Sequence, residues 1–362
     1  MLNTKNIKYG LQDVSIIPAP FSTIDSRSEI NVLSENGMLS LFTAPMSSVV
    51  DLNNYKLFEE NKINAIIPRT VDIETRKQLC TETWCAFSLV EFDNLFGFDE
   101  IKDNKVRKVL IDTAHGGIQS LHRSIRLAKE LFGDKLIIMA GNIANPETYV
   151  ELSEAGCDYV RCSVGTGGAC LTSSNTGVYY PIASLIADCY EKSLNLKKPA
   201  KIVADGGIKG FSDAIKAMAL GADYVMCGSV FNKMLESAGE TTYKPFTENT
   251  PGFQYLGKTF EIVDQYSERI LNDFKDCKEF HKTFYGMSTK RAQKEMGNAI
   301  IKTSEGIERT QIVEYTMSQW TENFTDYLKS AMSYCNCINL YEFIGKPQMI
   351  LISNNAYNSI NK

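Results

Sequence analysis

From residue 41 to residue 228 the chain alternates short, unbroken apolar runs with longer mixed segments. The runs lie at 41–45, 64–68, 85–90, 108–112, 135–142, 159–164, 200–205 and 224–228. Strands of a parallel sheet need unbroken apolar runs of this length, because both of their faces are covered. Segments at 52–61, 73–82, 120–131, 146–155 and 212–220 read as helices between them. This alternation predicts an α/β fold, a (β/α)8 TIM barrel. A doubly wound sheet is the alternative arrangement of the same units, but no Gly-x-Gly-x-x-Gly follows the first run.

An internal repeat supports the barrel. Ala140-Gly141-Asn142 leads to Gly156-Cys157-Asp158-Tyr159-Val160, and Asp205-Gly206-Gly207 leads to Gly221-Ala222-Asp223-Tyr224-Val225. Gly141 to Gly156 and Gly206 to Gly221 are equal intervals, as two copies of one strand–loop–helix unit require. Outside this core, 9–18 reads as a short apolar strand ended by Pro18, and 21–30 as a polar surface arm. Residues 232–310 are polar and rich in Lys, Glu and Thr. They read as an excursion from the barrel's catalytic face, able to serve as a lid. A closing amphipathic helix is expected near 317–334. The whole chain, 1–362, is thus read as a single barrel domain that carries the excursion.

Composition narrows the function classes. The net charge is −5 and no long basic run occurs, which argues against nucleic-acid partners. No apolar run is long enough to span a membrane and the first residues lack a signal-peptide core, so a cytoplasmic protein is expected. The ten cysteines include no Cys-x-x-Cys pair and only three histidines accompany them, which fits a reducing compartment and not a zinc site.

In a TIM barrel the chemistry sits at the C-terminal ends of the strands. There the sequence sets Asp112-Thr113-Ala114-His115-Gly116 after the fourth run, Gly141-Asn142 after the fifth, Asp205-Gly206-Gly207 after the seventh and Gly228-Ser229 after the eighth. Small residues after the last two strands suit a backbone phosphate site, because amides must approach the oxygens closely. After the sixth run, Gly165, Gly167 and Gly168 precede Cys170 and Thr172. A thiol on a glycine-rich loop after a strand is where a nucleophile belongs, and equally where a structural cysteine can sit. His115 reads as either a solvated loop histidine or an acid–base group, and Glu305 as a surface carboxylate.

Together these motifs resemble the IMP dehydrogenase / GMP reductase family, whose loop runs roughly Gly-x-Gly-Pro-Gly-Ser-x-Cys-Thr-Thr. The segment 163–172 matches it, with Thr166 for the proline, Gly168 for the serine and Leu171 for the first threonine. The resemblance extends over 112–116, 140–142, 205–208, 228–229, 236–239 and 285–287. The reductase branch is favoured by 22–29, by Thr176-Gly177-Val178-Tyr179-Tyr180-Pro181, and by the absence of an Arg-Tyr pair between Met287 and Glu305, which dehydrogenases use to activate water. On the other side, 112–116 is nearer the dehydrogenase form.

The resemblance implies NADPH-dependent reductive deamination of GMP to IMP and ammonia. It implies Cys170 as covalent nucleophile at purine C2, with Thr172 and Glu305 passing the proton that releases ammonia. It implies Asp205 on the ribose, and Gly207, Gly228 and Ser229 on the phosphate. Gly286, Met287, Met46 and Asn142 would complete the substrate site, and Asp112, Thr113, Ala114, His115 and Gly116 would line the cofactor. Carbonyls of Gly165, Gly167 and Cys170 would hold a monovalent cation such as K+, and the assembly would be a homotetramer. IMP dehydrogenase chemistry and a catalytically silent nucleotide-binding homologue are the competing readings.

Overall fold

The computed structural model describes residues 7–96, 104–168, 170–243, 261–262, 264–276 and 279–360. Eight parallel strands run in order around the sheet: β1 Leu41–Thr43, β2 Ile66–Ile67, β3 Trp84–Phe87, β4 Arg107–Asp112, β5 Leu136–Ile143, β6 Tyr159–Cys162, β7 Lys201–Asp205 and β8 Tyr224–Cys227. β8 pairs with β1, and β1 reaches β2 through a Phe42–Asn64 bridge. There Thr43 N–H donates to the Asn64 carbonyl and Asn64 N–H to that of Leu41, each at 3.0 Å. The Thr43 hydroxyl also accepts the Ile66 amide at 2.8 Å, so side chain and backbone together complete the ring. The TIM barrel expected from the run pattern is the fold observed.

Strand alternation sorts the side chains. On β8, Val225 and Cys227 face the helices, whereas Tyr224 and Met226 join the barrel interior. Phe42, Trp84, Tyr159 and Tyr224 form an aromatic floor, with Phe42 ring centroids 5.5, 5.9 and 5.0 Å from the other three. Edge-on and tilted pairs of this kind contribute about 0.5–1.5 kcal/mol each beyond area burial.

The repeat now has a physical meaning. In each copy a positive-φ glycine (Gly156, Gly221) ends the helix turn. The following aspartate accepts an amide of the neighbouring strand: Asp158 from Ile138 at 2.8 Å and Asp223 from Ile202 at 2.7 Å. The tyrosine after it then points inward, and Tyr159 and Tyr224 meet at 5.5 Å.

The expected helices appear as α1 Tyr55–Glu60, α2 Ile73–Leu79, α4 Gln119–Phe132, α5 Pro146–Glu154 and α8 Phe211–Ala219. Others went unread: α3 Leu89–Phe96, α6 Thr172–Thr176 and α7 Ile182–Ser193. α7 buries Ile182, Leu185, Ile186 and Cys189 against the barrel, but its start is masked in sequence by the polar, glycine-containing stretch before Pro181. After β8 come α9 Ser229–Asn232 and the insertion. At its far end lies α12 Met317–Tyr334, the expected closing helix, which buries Trp320, Phe324 and Leu328. At the barrel's outer edge Val14–Ile16 pairs antiparallel with Met349–Leu351. No helix among the described residues is long and apolar enough to cross a membrane.

The polar excursion contains an antiparallel sheet of β9 Thr241–Tyr243, β10 Glu261–Ile262, β11 Phe280–Tyr285 and β12 Glu308–Ile312, joined by α10 Glu268–Lys275 and α11 Lys290–Glu295. Part of the excursion, 244–260, lies outside the described residues. β12 escapes sequence reading because only Gln311 of its five residues is buried, so no apolar alternation marks it. The sheet is anchored by Lys282, whose fully buried ammonium donates to the carbonyls of Ser237 and, at 3.2 Å, Gly239. Burial pushes this amine down to about 7, against the attraction of Glu236 and Asp51.

Above that value the folded chain holds Lys282 neutral while the unfolded chain still binds its proton, so stability rises with pH until the free lysine value near 10.4 is reached. Below it both states are protonated and the dependence vanishes. Urea unfolding of wild type and Lys282→Met between pH 6 and pH 10 is expected to show a positive slope with pH in the wild type that the variant lacks.

Candidate active site

The last inward-facing positions on β4, β6 and β7 are not apolar. Asp112, Arg161 and Asp205 continue the faces that Leu110, Tyr159 and Val203 occupy deeper in the barrel. Arg161 spans the opening: Nη1 donates to Asp112 Oδ1 at 2.7 Å, and Nη2 to Asp205 Oδ2 at 2.9 Å. Only 7% of its side chain is exposed. Burial opposes the guanidinium's charge, but Asp205 and Asp112 outweigh it and hold its pKa above the ordinary value. Asn142 Nδ2 adds a 2.6 Å bond to Asp205 Oδ2. All these donors reach Oδ2, so Asp205 Oδ1 has no protein donor among the described residues. In the sequence Arg161 reads as one residue of an apolar run. A charge flanked by Val160 and Cys162 in a buried strand was the available signal.

Around this polar cap the loops interlock. Thr113 N–H donates to the Gly141 carbonyl at 3.0 Å, Asn142 N–H to the Thr113 carbonyl at 2.8 Å and Gly116 N–H to the Asn142 carbonyl at 2.7 Å. The 112–116 loop is therefore fixed to the end of β5, with Ala114 and His115 exposed. Gly206 and Gly207 both adopt positive φ, at 85° and 75°. A Cβ on Gly206 would stand 2.7 Å from Thr166 Oγ1, so only glycine lets the two loops meet. Thr166 Oγ1 donates to the Asp205 carbonyl at 3.1 Å. Met46 reaches Gly228, where a Cβ would meet its sulfur at 3.2 Å. Gly286 and Met287 follow β11, whose end is tied to the first barrel loop by Ser48 Oγ donating to the Tyr285 carbonyl at 3.1 Å.

Cys170 sits where the barrel loop meets the insertion. It forms a β-bridge with Gly306, and Leu171 N–H donates to the Glu305 carbonyl at 2.6 Å. These contacts line up three side chains. Cys170 Sγ lies 3.3 Å from Thr172 Oγ1, which donates to Glu305 Oε2 at 2.5 Å. Cys170 is half-buried, as is Cys335 at the end of α12; the remaining described cysteines are buried. Burial above all, with nearby acidic groups adding to it, pushes the Cys85, Cys157 and Cys227 thiols up, Cys157 to about 12, which leaves them inert at neutral pH. Cys170 thus combines access with a hydroxyl and a carboxylate in line. That chain can carry a proton between the carboxylate and a group bonded near the sulfur.

The proposed cation carbonyls are partly occupied within the loop. Gly165 O accepts Ser173 Oγ at 2.8 Å, and Gly167 O accepts Cys170 N–H at 2.9 Å, so each keeps one lone pair for an ion. No group of three or more His, Cys, Asp or Glu side chains among the described residues is arranged to hold a metal.

Comparison with known proteins bears on this arrangement. The IMP dehydrogenase / GMP reductase domain matches residues 85–361. An inosine-5'-monophosphate dehydrogenase of Chlorobaculum parvum is 31% identical over 70% of this chain and 47% of its own length. A GMP reductase of Vibrio atlanticus is 25% identical over 99% of both chains, and GMP reductase 1 of Mus musculus is 30% identical over 69% of this chain and 63% of its own. The chain therefore spans about half the length of the Chlorobaculum dehydrogenase it matches.

Replacing the buried guanidinium leaves two carboxylates facing each other at the barrel mouth. Arg161→Met is expected to lower the unfolding free energy by about 3–5 kcal/mol, the usual range for breaking a buried ion pair from one side. Denaturant titration at pH 7 measures it.

Proposed function

The chain belongs to the IMP dehydrogenase / GMP reductase family, and we propose that within it the protein is a GMP reductase, acting by GMP + NADPH + 2H+ → IMP + NH4+ + NADP+. The observation that carries this reading is the Cys170–Thr172–Glu305 alignment, with separations of 3.3 and 2.5 Å. The Cys170 thiolate adds to purine C2, which carries an amine. An amine leaves only when protonated, and Glu305 delivers that proton through the Thr172 hydroxyl. Loss of ammonia leaves C2 bound to sulfur as a thioimidate. Bound reduced nicotinamide dinucleotide supplies the hydride to C2, and the C–S bond then breaks to return the thiolate and release IMP.

The remaining positions have matching tasks. Asp205 keeps Oδ1 for the ribose hydroxyls, while Gly207, Gly228 and Ser229 surround the phosphate. Gly286 and Met287 read the purine edge beside Met46 and Asn142. The loop of Asp112, Thr113, Ala114, His115 and Gly116 borders the nicotinamide. The insertion serves as the lid, and the free lone pairs of the Gly165, Gly167 and Cys170 carbonyls take a monovalent cation such as K+. A single-domain, cytoplasmic homotetramer is the assembly in keeping with this reading. Support for the reductase branch comes from the end-to-end match to the Vibrio atlanticus protein and from the lack of an Arg-Tyr pair between Met287 and Glu305. The dehydrogenase form of 112–116 favours IMP dehydrogenase as the second reading.

Nicotinamide absorbance separates the two. GMP with NADPH is expected to lose absorbance at the reduced-nicotinamide band, and IMP with NAD to gain none; the reverse pattern overturns the reductase assignment. Cys170→Ala is expected to bind GMP yet lose turnover on the order of 10³-fold or more. Glu305→Gln is expected to lower kcat roughly 10²-fold with little change in GMP affinity.

A further inference from the structure

Position 168 is a glycine, and what stands beside it is an arginine from the insertion. A Cβ there would lie 3.3 Å from Arg309 Nη2 and 3.5 Å from Ser229 Oγ. The guanidinium and the hydroxyl therefore flank the same point, next to the loop of Gly206 and Gly207. A side chain at 168 and the guanidinium compete for this space, since 3.3 Å is closer than a Cβ ordinarily approaches.

The arginine is held in this position. On β12 it pairs directly across from Phe284 of β11, and its guanidinium lies over that ring at 5.2 Å. Gln311, two residues on and thus on the same face, accepts from Arg309 Nη2 at 3.1 Å. Gln311 Nε2 in turn donates to Asn232 Oδ1 at 2.7 Å. Asn232 is fully buried, with its amide donating to the carbonyls of Ser48 at 2.7 Å and Thr283 at 3.1 Å. The neighbouring Glu308 is paired with Arg291 at 2.8 Å. No carboxylate pairs with Arg309 among the described residues, so an oriented positive charge faces the small-residue loops without a counter-ion.

We propose that Arg309 binds the nucleotide's phosphate dianion through the guanidinium fork, with Gly168 supplying the room it needs. This rests on the nucleotide reading above and adds a charge reader to that site. The guanidinium matches phosphate geometry with two parallel N–H donors, and its pull acts on β12, whose lead-in carries Glu305. Phosphate binding thereby holds the carboxylate against Thr172, so the phosphate contributes to turnover as well as to affinity.

Calorimetric titration of GMP, guanosine and inorganic phosphate into wild type, Arg309→Gln, Arg309→Lys, Gly168→Ser and the double variant Gly168→Ser/Arg309→Gln tests this. Arg309→Gln is expected to weaken GMP roughly 10- to 100-fold, the scale of one lost charge-assisted pair, and to leave guanosine unchanged. Arg309→Lys keeps part of the affinity. Gly168→Ser alone weakens GMP by crowding the guanidinium, but strengthens it in the Arg309→Gln background, where the space is free. If GMP binds wild type and Arg309→Gln alike, or if guanosine weakens as much as GMP, the proposal falls while the nucleotide reading stands. If wild type binds neither GMP nor inorganic phosphate, both fall.

Discussion

One backbone contact between separate parts of the chain makes the site. The Cys170–Gly306 bridge, with its Leu171 N–H to Glu305 carbonyl bond, joins the loop after β6 to the lead-in of β12. Without it the thiol and the carboxylate belong to segments with no reason to meet. With it, Thr172 stands between the two at hydrogen-bond distance from each. Backbone pairing fixes a strand segment far more closely than a side-chain contact can, because it sets both position and direction. The alignment of thiol, hydroxyl and carboxylate is therefore set by the register of a single backbone bridge.

The polar cap of the barrel solves a different problem. Two carboxylates at the last inward positions would repel each other in a confined space. Arg161 between them offsets the repulsion, and its forked donors fix both. Its bonds to Asp205 engage Oδ2, and the other oxygen has no protein donor among the described residues. Below this cap the interior is apolar and aromatic, with Phe42 at the centre of the floor. The barrel thus passes within a few residues along each strand from apolar packing to fixed charge.

Much of this was legible beforehand. Unbroken apolar runs specify strands covered on both faces, and the Gly141–Gly156 and Gly206–Gly221 intervals specify a repeated unit, so the barrel followed from local pattern. The rim residues followed too, because strand ends bound the runs. What was missed shares one physical character. Arg161 is charged within a buried strand, β12 has a single buried residue, and α7 starts behind a polar stretch. In each case the partner that stabilises the residue or segment lies far away in sequence: Asp112 and Asp205 for Arg161, β11 for β12, the barrel's outer wall for α7.

By itself the sequence determined the number of barrel strands, the order of the βα units and the residue types at each barrel strand's end, since these depend on burial patterns within a few residues. Only the tertiary structure decided that Glu305 reaches Thr172, that Asp205 keeps one oxygen free, and that Arg309 stands beside Gly168. Those facts arise from pairings between distant segments, whose register is set by packing and backbone hydrogen bonds across the assembled fold.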